Sequence, residues 1–116
     1  LIHDADGRID RDFYLFWELL LPGGLIIIDD YANKPVYKEI SEKYPAGGTK
    51  YLITYRLLNQ FMEWGLFEKK YQIGKTIFGI KPENASFEQF DLEVCKDILD
   101  KIEQERVDQL QKFTDQ

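Results

Sequence analysis

Leu25-Ile26-Ile27-Ile28-Asp29-Asp30-Tyr31 is the stretch on which the fold turns. Four consecutive apolar, mostly β-branched residues are too few for a helix, and they lack the polar alternation of a half-exposed strand. They read as a central strand covered on both faces. Pro22-Gly23-Gly24 stands just before them as a helix stop. Further upstream, Phe13, Phe16, Trp17 and Leu20 repeat at i, i+3, i+4 and i+7, predicting a helix over 11–21 with Asp10 as its cap. Leu1-Ile2-His3 running into Asp4-Ala5-Asp6-Gly7 reads as the last residues of another strand entering a loop. Strand, helix, glycine turn and buried strand form a βαβ unit. Its right-handed crossover makes the two strands parallel, with their carboxyl ends at one rim of the sheet.

Downstream, Pro35 suits the first turn of a short helix through about Tyr44, and Pro45-Ala46-Gly47-Gly48 separates it from a longer helix capped by Thr49. In that helix Tyr51, Tyr55, Leu58, Phe61 and Met62 share one side, opposite Arg56, Asn59, Gln60 and Glu63. Gly65 ends it. Leu66 to Ile73 and Thr76 to Ile80 are strand-like runs joined by Gly74-Lys75, a two-residue link that predicts an antiparallel hairpin and hence a mixed sheet. From Ser86 onward Phe87, Phe90, Val94, Cys95, Ile98, Leu99, Ile102, Leu110 and Phe113 keep helical spacing among acids, with Arg106 interrupting the stripe. The expected organisation is an α/β domain over 1–82 and an acidic helical extension over 83–116. That helix is too long for a sheet of this size to cover, so the part through about Ile102 should pack on the domain. Leu110 and Phe113 should contact a second chain or fray.

Composition narrows the functions open to the chain. Its 116 residues suffice for one small domain, and 44% hydrophobic with 15% aromatic residues exclude intrinsic disorder. No apolar run reaches the length of a membrane span, and no secretory signal is visible in these residues, so none is expected. The lone Cys95 rules out an intrachain disulfide and favours a reducing, cytoplasmic setting. The net charge of −6 is uneven: residues 1–82 hold eleven acids and eleven bases, whereas 83–116 hold ten acids and four bases. A neutral body with an acidic tail lacks the basic footprint that nucleic acids and anionic membranes require. Small-molecule chemistry or protein contact remains.

The rim acids carry the chemistry. Asp4 and Asp6 end one strand, and Asp29 and Asp30 end its parallel neighbour; carboxylates converging there repel unless a cation or protons neutralise them. Magnesium, which takes several oxygen ligands, suits an open site of three carboxylates, while acids that merely solvate a loop are the plain alternative. His3 is a base or a buried core histidine, Cys95 belongs to an apolar stripe, and Trp17, Trp64, Tyr31 and Tyr37 read as packing residues, with Tyr31 near enough to the rim to line a pocket. No dinucleotide-binding loop, P-loop, nucleophile elbow or zinc-ligand spacing occurs.

Leu1-Ile2-His3-Asp4-Ala5-Asp6-Gly7, the helix end Leu21-Pro22-Gly23-Gly24 and Leu25-Ile26-Ile27-Ile28-Asp29-Asp30-Tyr31 together resemble the C-terminal half of a class I S-adenosylmethionine-dependent methyltransferase, nearest the metal-dependent O-methyltransferases of the macrocin and sugar-modifying type. The resemblance spans about residues 1–82. It implies a Rossmann-like sheet closed by an antiparallel final strand inserted beside the fifth. It also implies Asp4, Asp29 and Asp30 as magnesium ligands, Asp6 as general base, and a small-molecule hydroxyl such as a sugar or phenol as methyl acceptor. The glycine-rich loop and second-strand acid that hold S-adenosylmethionine in that fold are absent from these residues, so the chain reads as a fragment of a larger enzyme or a truncated relic. An uncovered sheet edge or the C-terminal helix would then favour homo-oligomers. Two other readings share these residues: a non-catalytic α/β interaction module, and the hydroxylase relatives that carry a similar Asp-Asp-Tyr neighbourhood.

Overall fold

The computed structural model describes residues 2–3, 8–32 and 50–114, with side chains for 8–32, 50–108 and 111. Within them the elements run β1 (Ile2–His3), α1 (Ile9–Phe16), β2 (Leu25–Ile28), α2 (Lys50–Glu63), β3 (Glu68–Ile73), β4 (Thr76–Ile80) and α3 (Leu92–Thr114). The four strands form one sheet in the order β1-β2-β4-β3. β1 and β2 are parallel, with His3 opposite Ile28, whereas β4 is antiparallel to both β2 and β3. The chain is therefore an α/β protein with a mixed sheet, and the apolar run at 25–28 is an interior strand as expected. The expected helix between Pro35 and Tyr44 and the Thr49 cap lie outside the described residues.

Two glycines fix the hairpin. Gly74 takes φ 58° at the first position of the two-residue turn, a conformation that costs glycine little. Gly79 sits where a Cβ would drive into the Phe67 ring and the Glu68 carbonyl, so only glycine lets β3 approach β4 there. The register shift between Lys69 and Tyr71 lets Tyr71 stack on Phe78, with ring centroids 4.6 Å apart.

The core lies on one side of the sheet. Ile26 and Ile28 of β2 and Ile77 of β4 pack against Ile9, Phe13 and Trp17 of the first helical segment, Leu57, Leu58 and Phe61 of α2, and Cys95 of α3. Each large aliphatic side chain buried this way is worth about 1.5–3 kcal/mol relative to exposure. The Phe13 and Phe61 rings stack at 4.5 Å. Since α1, α2 and α3 all feed this cluster, the opposite face, carrying Leu25, Ile27, Phe78, Ile80 and Tyr71, is left half-buried or exposed. This corrects the expectation that β2 is covered on both faces. Its apolar continuity is real, but Leu25 is 53% exposed.

Local departures have local causes. The helix begins at Ile9, so Asp10 falls inside its first turn, and Arg8 at the cap position makes no side-chain cap bond. Asp10 is a buried acid paired with Arg8, whose Nε lies 3.2 Å from Oδ1, rather than the expected cap. The buried stripe of this helical segment is Ile9, Phe13 and Trp17 at steps of four; Phe16, expected on it, is exposed, because the helix tightens into a 3₁₀ turn at Trp17–Leu19. The C-terminal stripe is likewise broken. Phe87–Gln89 form a 3₁₀ turn, and α3 starts at Leu92 with the Asp91 carboxylate accepting from the Glu93 backbone N–H at 2.9 Å. The portion through Ile102 packs on the domain as expected, with Ile102 buried against Leu52, while the side chains of Leu110 and Phe113 lie outside the described residues. Arg56 and its polar neighbours on α2 face α3, where the Arg56 guanidinium forms a bidentate pair with Glu105 at 3.1 and 2.9 Å. No described helix is long and apolar enough to cross a membrane.

Candidate active site at the carboxyl end of β2

The sheet register brings four chain segments to one rim. β2 ends at Ile28, opposite His3 of β1 on one side and opposite Ile77 of β4 on the other. Because β4 runs antiparallel, its first residue, Thr76, reaches the point where β2 delivers Asp29. The Thr76 hydroxyl donates to Asp29 Oδ1 at 3.0 Å, and the Asp30 backbone N–H donates to the same oxygen at 2.8 Å. Asp29 is exposed. Its carboxylate is held in place by neutral donors while its charge stays open to solvent.

Asp30 is the one described non-glycine residue with positive φ, at 61°. Aspartate tolerates this left-handed conformation better than most residues, and such outliers gather at functional sites. The bend ends β2 and turns Asp30 toward the first residue of α2. Lys50 Nζ lies 3.5 Å from Asp30 Oδ2, with 15% of the Asp30 side chain exposed. The Lys50 ammonium also stands 5.3 Å from the Tyr51 ring centroid, and Lys75 Nζ, from the hairpin turn, lies 4.3 Å from that same centroid.

Tyr31 anchors this corner. Its backbone N–H donates to the Lys75 carbonyl at 2.8 Å, its hydroxyl donates to Asn59 Oδ1 at 2.6 Å, and its ring lies 4.9 Å from that of Tyr55. Burial pushes the Tyr31 phenol above its ordinary value of 10.0, Tyr55 adds to the rise, and the bond to Asn59 opposes it. At neutral pH Tyr31 is therefore protonated. Tyr31 is buried and packs as a strut.

Of the acids singled out in the sequence, the structure brings Asp29 and Asp30 together; Asp4 and Asp6 lie outside the described residues, as does the side chain of His3. Among the described residues no group of three potential ligands converges. Asp29 and Asp30 suit a hard divalent ion in kind, since both offer carboxylate oxygens at one strand end. Lys50, Tyr51, Lys75 and Thr76 were missed by sequence reasoning. Thr76 follows once β4 is placed antiparallel beside β2, but nothing local marks Lys50, which reaches the rim only through the fold. Cys95, expected to be inert, is fully buried; burial first, then Asp10 and Asp91, pushes its thiol up to about 12. An open groove of about 410 Å³ between α2 and α3, lined by Arg56, Asn59, Gln60 and Glu105 among others, includes neither Asp29 nor Asp30.

No family model, curated protein or solved structure matches the chain.

Proposed function

We propose that residues 1–116 are the carboxyl-terminal part of a Rossmann-like S-adenosylmethionine-dependent methyltransferase that methylates a small-molecule hydroxyl, with the rim at Asp29 and Asp30 as its acceptor side. The observation that carries this reading is the strand order β1-β2-β4-β3. A hairpin that follows α2 could add its first strand to β2; instead its second strand, β4, is inserted antiparallel beside β2 and the first is left outside. This is the closure that the resemblance implies. The face of Leu25 and Tyr71, which are exposed, and Phe78, which is half-buried, supports it as well, because among the described residues the helices pack on the other face, as in half of a three-layer α/β structure.

In this reading Asp29 and Asp30, with Asp4, would hold magnesium, which would supply a Lewis acid to lower the pKa of an acceptor hydroxyl. Asp6 takes the proton of that hydroxyl as general base. Thr76 keeps the Asp29 carboxylate oriented, and Tyr31 fixes the corner on which both acids stand. Residues 1–116 contain no glycine-rich strand-to-helix turn, so they do not fit S-adenosylmethionine by themselves; the proposal assigns cofactor binding to chain outside them.

The test is direct. The complete product of the reading frame that encodes these residues, incubated with methyl-labelled S-adenosylmethionine and a panel of sugars and phenols, should transfer label, more so with magnesium present. Failure of that product to bind S-adenosylmethionine in calorimetry would overturn the reading and leave a non-catalytic α/β module.

A further inference from the structure

Among the described residues β3 is an edge strand: it pairs with β4 alone, and all six residues of Glu68–Ile73 are exposed. The backbone N–H and C=O groups of such an edge are a template for another strand. Tyr71 and Ile73, 54% and 66% exposed, are residues that favour strand pairing. The partner that any two copies of this chain bring to that template is a second β3.

Two features oppose that pairing. Lys69 lies opposite Gly79 and Tyr71 opposite Phe78, so Lys70 is an extra residue that forms a bulge in mid-strand. Each face of the edge also carries an ammonium. Lys69 Nζ donates to Gln72 Oε1 at 3.2 Å, on the sheet face shared with Gly79 and Ile77. Lys70 Nζ lies 3.4 Å from Oε2 of Glu68, which stands on the other face opposite Ile80. Two β3 strands related by a two-fold axis run antiparallel. A pairing centred on Lys69, on Lys70 or between them then sets lysine directly against lysine, which destabilises a sheet. A pairing centred further along avoids that contact, yet it runs the bulge of each copy through the ladder or shortens the ladder to the residues after Lys70.

We propose that the Lys70 bulge and the Lys69 and Lys70 charges keep β3 from pairing with β3 of a second copy, so that this edge is a blocked strand-addition site. The inference goes beyond the methyltransferase reading and does not depend on it.

The test compares four forms of the complete protein: wild type, Lys69→Thr with Lys70 deleted, Lys69→Thr with Lys70→Thr, and Lys96→Gln with Lys101→Gln. Sedimentation velocity reads association, amide hydrogen exchange reads protection of residues 68–73, and circular dichroism checks that each form is folded. The first variant removes bulge and charges, the second removes the charges at unchanged chain length, and the third takes the same charge from exposed positions on α3. Each makes residues 1–116, already at −6, more negative, so general repulsion works against association. The first variant should associate at a concentration about tenfold or more below wild type, with exchange at 68–73 slowed by about tenfold or more. The second should move the same way by a smaller factor, and it carries the test if the deletion unfolds the hairpin; the third should match wild type. The proposal is overturned if no folded edge variant associates more readily than wild type. Association without slower exchange at 68–73, or a wild type that is already a dimer protected there, overturns it equally.

Discussion

Each end of β2 has a lysine beside it, and the two are held in different ways. At the amino end, Lys81 is only 7% exposed; its ammonium donates to the Trp17 carbonyl at 3.1 Å and the Leu20 carbonyl at 2.7 Å and lies 3.9 Å from the Trp17 ring centroid. Its backbone ties the glycine turn to β4, accepting from the Gly23 N–H at 2.7 Å and donating to the Gly24 carbonyl at 3.0 Å. This cation caps the carbonyl end of a helical segment and, among the described residues, pairs with no carboxylate. At the carboxyl end, Lys50 is part-exposed and meets a carboxylate, its Nζ 3.5 Å from Asp30 Oδ2. One lysine is buried on carbonyls and an aromatic face; the other is part-exposed on a carboxylate.

The largest effect expected from this contrast is on stability at the amino end. Lys81→Ala leaves two carbonyls and the Trp17 ring without their cation and should cost about 2–4 kcal/mol, measured by urea unfolding. Next, Gly79→Ala, opposite Ile26, forces a methyl into the Phe67 ring and Glu68 carbonyl and should cost about 1–3 kcal/mol in the same measurement. Asp29→Asn and Thr76→Val should each change stability by less than about 1 kcal/mol, because the groups they alter stand at an exposed rim. A rim variant that unfolds as readily as Lys81→Ala would erase the distinction between the two ends.

Cys95 reports on the same contrast. Its thiol, pushed up to about 12 and fully buried, is unreactive in the folded chain, so alkylation at pH 8 should require opening of the core. The labelling rate should rise in Lys81→Ala by the factor by which the unfolding equilibrium rises, and stay unchanged in Asp29→Asn. The pH dependence has a definite sign. The folded thiol is raised above the ordinary 9.0, so its contribution to stability is full below about pH 9 and is lost as pH rises toward about 12. A loss of stability from this thiol below pH 8 would contradict its burial.

How far the sequence carried the fold follows from the range over which each signal acts. The interior strand at Leu25–Ile28 and the hairpin around Gly74-Lys75 were legible because apolar continuity and turn chemistry are local. The helix cap at Asp10 was misread because Ile9, a residue earlier, is drawn into the core and starts the helix there. The open face of β2 was not legible, since four apolar residues in a row cannot say which side the helices take. Lys81 and Lys50 escaped notice for a stronger reason: Lys81 meets Leu20 across 61 positions in the chain, and Lys50 meets Asp30 only after α2 has folded back to the rim. Asp29 and Asp30 were legible as a pair at a strand end, but their different partners, Thr76 for one and Lys50 for the other, exist only in three dimensions.

The proposal to be tested is that methyl transfer belongs to the carboxyl end of β2, while the contacts at its amino end serve stability. It is tested most directly by measuring labelled methyl transfer in the complete protein for wild type, Asp29→Asn and Lys81→Ala, below the melting temperature of all three. Asp29→Asn should fall about tenfold or more with its melting temperature unchanged, whereas Lys81→Ala should melt earlier and turn over at the wild-type rate per folded molecule. Equal turnover in Asp29→Asn and wild type would contradict the account.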